Sequence, residues 1–146
     1  MAQVKATAER TVGAPADRVA TALADYTGTR PKLLTEHFSE YEVRSGGTGA
    51  GTVVHWKLAA TSKRVRDCLV EVAQPAEHQL VERDTNSSMV TTWTVTPAGE
   101  GATVTVETTW NGAGGIGGFF EKTFAPGGLR RIYDGMLAKL DSVVAG

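Results

Sequence analysis

Cysteine is almost missing from this sequence: Cys68 is the only one in 146 residues. That excludes an intrachain disulfide and any thiolate-rich zinc site, and it fits a reducing interior. Charge excess is missing too. Lys and Arg total 15 against 16 Asp and Glu, a formal net charge of -1, so no global field gathers nucleic acid or an anionic membrane. Long apolar runs are absent: nothing approaches the roughly 20 residues of a membrane span. The opening stretch MAQVKATAER has no apolar core of the kind that starts a signal peptide. The expectation is a cytoplasmic protein with no nucleic-acid partner and no stable membrane insertion. Asn86-Ser87-Ser88 then reads as a polar turn rather than a glycosylation site. A chain of this length suits one domain that buries about two-thirds of its extended surface.

Periodicity is what the chain has. From Gln3 to Gly13, Val4, Ala6, Ala8 and Val12 alternate with Lys5, Thr7, Glu9 and Thr11, the pattern of a half-buried strand. Pro15 suits a first helical position, and Val19, Ala20, Leu23 and Ala24 follow at helical spacing, ending near Gly28. Pro31 starts a second short helical piece through Leu33 and Leu34. Runs rich in Val, Thr and Trp then recur near 37–45, 51–60, 64–74, 78–85, 89–97 and 102–111, separated by Gly, Pro, Asn and Ser. Such short connections predict consecutive hairpins and an antiparallel meander. In the last third, Ile116, Phe119, Phe120 and Phe124, then Leu129, Ile132, Met136, Leu140 and Val143, form one helical stripe. Pro126-Gly127-Gly128 interrupts it and predicts a kink or two segments. A long amphipathic helix beside strands must lay its apolar face across the sheet, which curls around it.

The order strand, two short helices, six strands, long helix resembles the START-like (SRPBCC, helix-grip) superfamily, and within it the bacterial polyketide cyclase/dehydrase and lipid-transport group. The matching pieces are Thr11 to Val19 at the first strand-to-helix junction, Gly49 to Val54 opening the third strand, Gly118 to Lys122, and Leu129 to Tyr133. The resemblance covers nearly the whole chain. It implies an α+β fold, a curved antiparallel sheet of about seven strands (β-α-α-β6-α) around a C-terminal helix, with residues 1–146 forming a single ligand-binding domain. It also implies an internal cavity for lipids, polyketides or similar apolar molecules, without naming one. Because the group contains carriers, cyclases and chaperone-associated domains, function rests on the site.

Strand parity nominates the cavity wall. Thr52, Val54, Trp56 and Leu58 share a face of the third strand, with Val53, His55 and Lys57 opposite. Met89, Thr91, Trp93 and Val95 share one on the sixth strand, and Val104, Val106, Thr108 and Trp110 on the seventh. On the fourth strand a two-residue turn at Thr61-Ser62 sets Asp67 opposite Trp56, and one residue more sets Arg66 or Cys68 there; apolar count favours the face of Cys68, Val70 and Val72. The ligand-binding expectation is therefore Val54, Trp56, Leu58, Cys68, Val70, Trp93, Val95, Val106 and Trp110 from the sheet. Phe119, Phe120, Phe124, Ile132 and Met136 complete it from the C-terminal stripe. The competing reading of these same residues is a plain packed core.

Few motifs suggest chemistry. Gly112 to Gly117 fits G-x-G-x-x-G, but the helix after it runs to the end of the chain with no parallel strand to carry a ribose-binding acid. It reads as a strand-to-helix joint, a gate at the cavity mouth or simply a loop. His37, His55 and His78 have no spacing that converges on a metal, so neither metal nor other cofactor is expected. Acid/base work needs a titratable group inside the cup, and Tyr41, Asp67, Arg66, Glu82, Glu107 and Tyr133 are the choices. Of these Tyr133, Asp67 and Arg66 are the catalytic candidates, although Tyr133 sits on the shoulder of the helical stripe, where its hydroxyl reaches water. No pair fixes two roles. Lys63-Arg64-Arg66 and Arg130-Arg131 read as solvated charge. Carriage or binding of a lipid-like or polyketide-like molecule is thus favoured over a metal-free cyclase or dehydratase, and over a chaperone-associated or stress-related interaction module.

Overall fold

A computed structural model describes residues 3–61, 64–111 and 126–145 of the chain. The elements run β1 (Gln3–Val12), α1 (Ala16–Ala24), α2 (Arg30–Leu33), β2 (Phe38–Ser45), β3 (Val53–Thr61), β4 (Arg64–Ala76), β5 (Gln79–Asp84), β6 (Val90–Ala98), β7 (Gly101–Asn111) and α3 (Pro126–Ala145). Every predicted strand is present, with no end moved by more than two residues. One antiparallel sheet takes the order β1-β7-β6-β5-β4-β3-β2. β2 to β7 are neighbours in sequence and in space, as short hairpins require, and β1 adds to β7 at the far edge.

The β1–β7 pairing is unbroken from Gln3 opposite Asn111 to Val12 opposite Ala102. It ends where Gly101 meets the end of β1: a Cβ there would stand 2.3 Å from the Val12 carbonyl oxygen, so no larger residue fits. β1 buries Ala6, Ala8 and Val12 inward. β4 takes the register in which Trp56 faces Cys68 and Lys57 faces Asp67. Cys68, Val70 and Val72 therefore point into the core.

α1 follows directly, with Pro15 as its N-cap rather than its first residue. Pro15 keeps an extended ψ of 149° while its carbonyl accepts from the Val19 N–H at 3.1 Å. Val19 and Leu23 seat the helix on β6 and β7. α3 buries Leu129, Ile132, Tyr133, Met136, Leu137, Leu140 and Val144, a stripe of three- and four-residue steps laid on β1 and α2. Val144, rather than Val143, completes it, and Val143 packs at its margin. The stretch before Pro126, with the expected helical run, kink and glycine joint, lies outside the described residues.

The α1–α2 joint is held from both sides. The β2–β3 loop turns back on itself at Gly46 (φ 71°), where a Cβ would stand 2.8 Å from the Thr52 Cα. It then docks on the joint through Tyr26 N–H to the Gly47 carbonyl and Gly49 N–H to the Ala24 carbonyl, both 2.9 Å. From the other side the Asp25 carboxylate accepts from the N–H groups of Gly28 (3.0 Å) and Thr29 (3.2 Å). The Gly28 bond is the main reason that the Asp25 carboxyl sits below its ordinary range. This joint fixes Tyr26 and Arg30, which reach under the sheet.

Candidate functional site

Between the inner face of the sheet and α3 lies a cavity. Its apolar wall comes from Phe38 on β2, Trp56 and Leu58 on β3, Cys68 and Val70 on β4, and Met136 on α3, with Leu34 and Met89 closing the ends. Tyr41 lies parallel to the Trp56 ring at 6.2 Å between centroids, and Phe38 meets that ring edge-on at 6.2 Å. Counted by the positions open to the centre of a water molecule, the cavity measures about 30 Å³, room for about two waters. The space between its wall atoms, open solvent at the mouth included, is about 550 Å³.

One end of the cavity is polar because β5 turns its acids inward. Leu80, Glu82 and Asp84 alternate onto the buried face, while Arg83 faces out. Glu82 Oε2 accepts from Tyr26 Oη at 2.6 Å and from Arg30 Nη2 at 2.8 Å, and Oε1 accepts from Trp93 Nε1 at 3.0 Å. The Arg30 guanidinium also donates to the Leu23 carbonyl at 3.0 Å and lies over the rings of Tyr26 and Trp93, 4.6 and 4.8 Å from their centroids. Burial, the largest single influence, pulls that guanidinium toward neutrality, but the Glu82 carboxylate together with Tyr26 and Tyr41 outweighs it. The net shift is upward, so Arg30 stays a cation. Asp84 turns the other way: it accepts from the N–H groups of Leu69 and Asn86 at 3.1 Å and from the Ser87 hydroxyl at 2.7 Å, holding the β5–β6 turn.

Next to Glu82, across the β5–β6 register, Thr91 begins a hydroxyl cluster. Its Oγ1 lies 2.8 Å from Thr108 Oγ1 and 3.4 Å from Tyr133 Oη, and Tyr133 Oη also bonds Thr108 Oγ1. Tyr133 is thus buried with its hydroxyl engaged inside, not at the helix shoulder facing water; the turn of α3 points it at the sheet. Burial pushes its hydroxyl up to about 12 against the pull of Thr108 and Thr91. It remains protonated at neutral pH and acts as a hydrogen-bond donor, not as a phenolate base. Burial likewise pushes the Cys68 thiol and the Tyr26 and Tyr41 hydroxyls upward. None of the four is an anionic nucleophile near neutrality.

Six of the residues nominated for binding line this cavity: Trp56, Leu58, Cys68, Val70, Trp93 and Met136. Val54, Val106, Trp110 and Ile132 are buried in the core away from it, since parity selects a face but not the part of that face left uncovered. Val95 borders a smaller cleft with Leu23, Leu80 and His78. Phe119, Phe120 and Phe124 lie outside the described residues. Of the catalytic candidates only Tyr133 reaches the cavity. Asp67 is on the outer face, because the observed register sets Cys68 and not Asp67 opposite Trp56. There its Oδ1 meets His55 Nε2 at 2.7 Å, the main cause of its lowered carboxyl. Arg66 shares the inward parity of Cys68 but lies off the cavity, and its Nη2 reaches the Asn86 carbonyl at 3.5 Å.

Arg30, Leu34, Phe38 and Asp84 are lining residues that sequence reading did not nominate. Asp84 was within reach, because it shares parity with Leu80 and Glu82. Arg30 was not: one arginine before a proline carries no periodic signal. The histidines do stand apart, yet Asp17, Glu77 and His78 bring ligand-type atoms within 4.8 Å of one another at the surface. Spacing between histidines alone misses this group, because α1 and the β4–β5 turn supply its members. Asp17 and His78 pair at 2.8 Å.

The fold and site can be set beside known proteins. A family profile described as polyketide cyclase / dehydrase and lipid transport matches residues 3–145. The solution structure of KanY protein (ms6282) is 51% identical, with each chain covered over 100% of its length and a TM-score of 0.91. The crystal structure of TTHA0849 from Thermus thermophilus is 22% identical over 97% of each chain, with a TM-score of 0.77. The di-domain ARO/CYC BexL from the BE-7585A biosynthetic pathway is 17% identical, with 99% of this chain and 50% of BexL covered and a TM-score of 0.72. No curated protein matches the sequence significantly. Among the described residues no helix is long and apolar enough to cross a membrane. With the sheet, the gripping helix and the profile match all spanning nearly the whole chain, this protein belongs to the polyketide cyclase/dehydrase and lipid transport family, on a START/Bet v1-like helix-grip fold.

Proposed function

We propose that the chain is a single ligand-binding domain that holds a hydrophobic small molecule, lipid-like or polyketide-like, between its sheet and α3. The observation that carries this reading is an apolar, aromatic-walled cavity with its polar groups gathered at one end. That is the arrangement that orients an apolar guest by one polar anchor. Ligand cavities usually measure about 300–1,000 Å³, so a guest larger than a few waters must part the walls. Met89 and Met136, unbranched and adaptable, stand where that repacking is easiest. The unpaired, buried Cys68 fits a reducing compartment such as the cytoplasm.

Binding without chemistry is favoured because the groups that could do chemistry are engaged. Glu82 accepts three hydrogen bonds, and the Tyr133 hydroxyl is held protonated. Native mass spectrometry of the full chain, incubated with a panel of neutral aromatic and lipid-like compounds, should show a one-to-one adduct that Trp56→Ala weakens about tenfold or more. No saturable adduct with any compound overturns the reading.

A cyclase or dehydratase is the second reading, favoured by one observation: the Tyr133 hydroxyl stands in the cavity wall, where it could donate to a substrate carbonyl. It expects turnover of poly-β-ketone substrates that falls about 100-fold in Tyr133→Phe. Unchanged turnover in that variant, or none in the parent chain, excludes it.

A further inference from the structure

We infer that the cavity selects electrically neutral guests and rejects carboxylates, because the cation in its lining, Arg30, is already neutralised by Glu82 beside a second lining acid, Asp84. This rests on the binding role proposed above and adds the class of guest. Among the described residues three charged ones line the cavity: Arg30, Glu82 and Asp84. Their formal sum is one negative charge.

A cation-lined pocket would attract fatty acids and other carboxylates through charge-assisted hydrogen bonds. Here the guanidinium gives one such bond to Glu82 at 2.8 Å, another donor goes to the Leu23 carbonyl, and the two aromatic rings of Tyr26 and Trp93 cover it. At any other guanidinium N–H an incoming carboxylate sits beside the Glu82 charge, and to take the ion-pair position itself it must displace the Glu82 carboxylate. That carboxylate would then lie buried without its cation, an outcome that buried ion pairs strongly resist. Cationic guests meet acids already engaged: Glu82 accepts three hydrogen bonds, and Asp84 accepts three from Leu69, Asn86 and Ser87. The lining also offers uncharged groups. The hydroxyls of Thr91 and Tyr133 both donate and accept, so they suit a ketone or hydroxyl group. Around them stand Phe38, Trp56 and Met136, which suit a planar apolar body.

The test compares two molecules of nearly equal shape, 2-acetylnaphthalene and 2-naphthoate, by equilibrium dialysis against the full chain at pH 7. The ketone should bind at least about tenfold more tightly than the carboxylate, since the anion meets a net negative, weakly screened site. In Glu82→Gln the formal lining charge rises from minus one to zero and Arg30 loses its carboxylate partner, so the preference should shrink at least about tenfold. Equal or tighter binding of 2-naphthoate to the parent chain overturns the inference while leaving the binding role intact. A neutral preference unaltered in a folded Glu82→Gln also overturns it, because Arg30 would then play no part. Failure of both naphthalenes and of the wider neutral panel counts against the binding role itself. If Glu82→Gln does not fold, the comparison on the parent chain still decides the matter.

Discussion

Arg30 shows how much a single residue carries in this molecule. Its charge lies in the core, held by Glu82 and two rings, and removing it leaves the carboxylate with only Tyr26 and Trp93. Arg30→Met should therefore lower stability by about 3–5 kcal/mol, read as a drop in the urea midpoint. Arg30→Met combined with Glu82→Leu should lose less than Arg30→Met alone, since no unpaired charge remains. Cys68 makes the opposite prediction, of inertness. The thiol is buried and pushed upward by that burial, so a disulfide reagent at pH 8 should label the native chain at least about 100-fold more slowly than the urea-unfolded chain. Equal rates would place the thiol at an open surface. Asp25 governs acid behaviour at the α1–α2 joint. Its carboxyl lies below the ordinary value of 3.8, chiefly through the Gly28 N–H. Its stabilising effect is thus complete above that value and is lost as pH falls through the lower, folded value. Asp25→Asn should flatten the acid limb of a stability-versus-pH curve, and an unchanged limb would remove Asp25 from that role.

At the scale of elements, the edge pairing of β1 with β7 depends on one missing side chain. Gly101→Ala puts a methyl 2.3 Å from the Val12 carbonyl, and backbone rather than a side-chain tip must move. A loss of about 1–3 kcal/mol is expected, with weakened amide protection along β1 in hydrogen exchange. On α3, Leu140 is fully buried against the sheet side of the stripe, and Leu140→Ala should cost about 2–5 kcal/mol in a thermal or urea melt. The strands were legible in the sequence because alternation has period two and turns mark its breaks. Parity also identified the inward faces of β3, β4, β6 and β7. β5 was the exception: Glu82 and Asp84 occupy inward positions, and charge on a strand is ordinarily taken as solvent-facing. For Glu82 a cation from α2, far away in the chain, makes that parity tolerable, and for Asp84 the N–H groups of Leu69 and Asn86 and the Ser87 hydroxyl do so.

At the scale of the whole molecule, the cavity lies, among the described residues, between the sheet, α3 and the α1–α2 joint. Sequence by itself determined the class of architecture. Seven strand-like runs joined by short turns pair as neighbours, and a helix with one apolar stripe must lie on them, since both are local patterns enforced by hydrophobic burial. It also determined the aromatic character of the inner face through Trp56 and Trp93. Only the tertiary structure decided the rest. It set the register that sent Asp67 outward and Cys68 inward, because that choice depends on a single residue of turn length. It separated Trp56 and Trp93 at the cavity from Trp110 in the packed core, because coverage by a helix is not a property of strand parity. It joined Arg30, Tyr26 and Glu82 across more than fifty residues of chain. That contact follows from the docking of the β2–β3 loop on the α1–α2 joint, and no local periodicity records it. The electrostatic balance of the cavity is therefore a property of the fold, although every charge in it is written in the sequence.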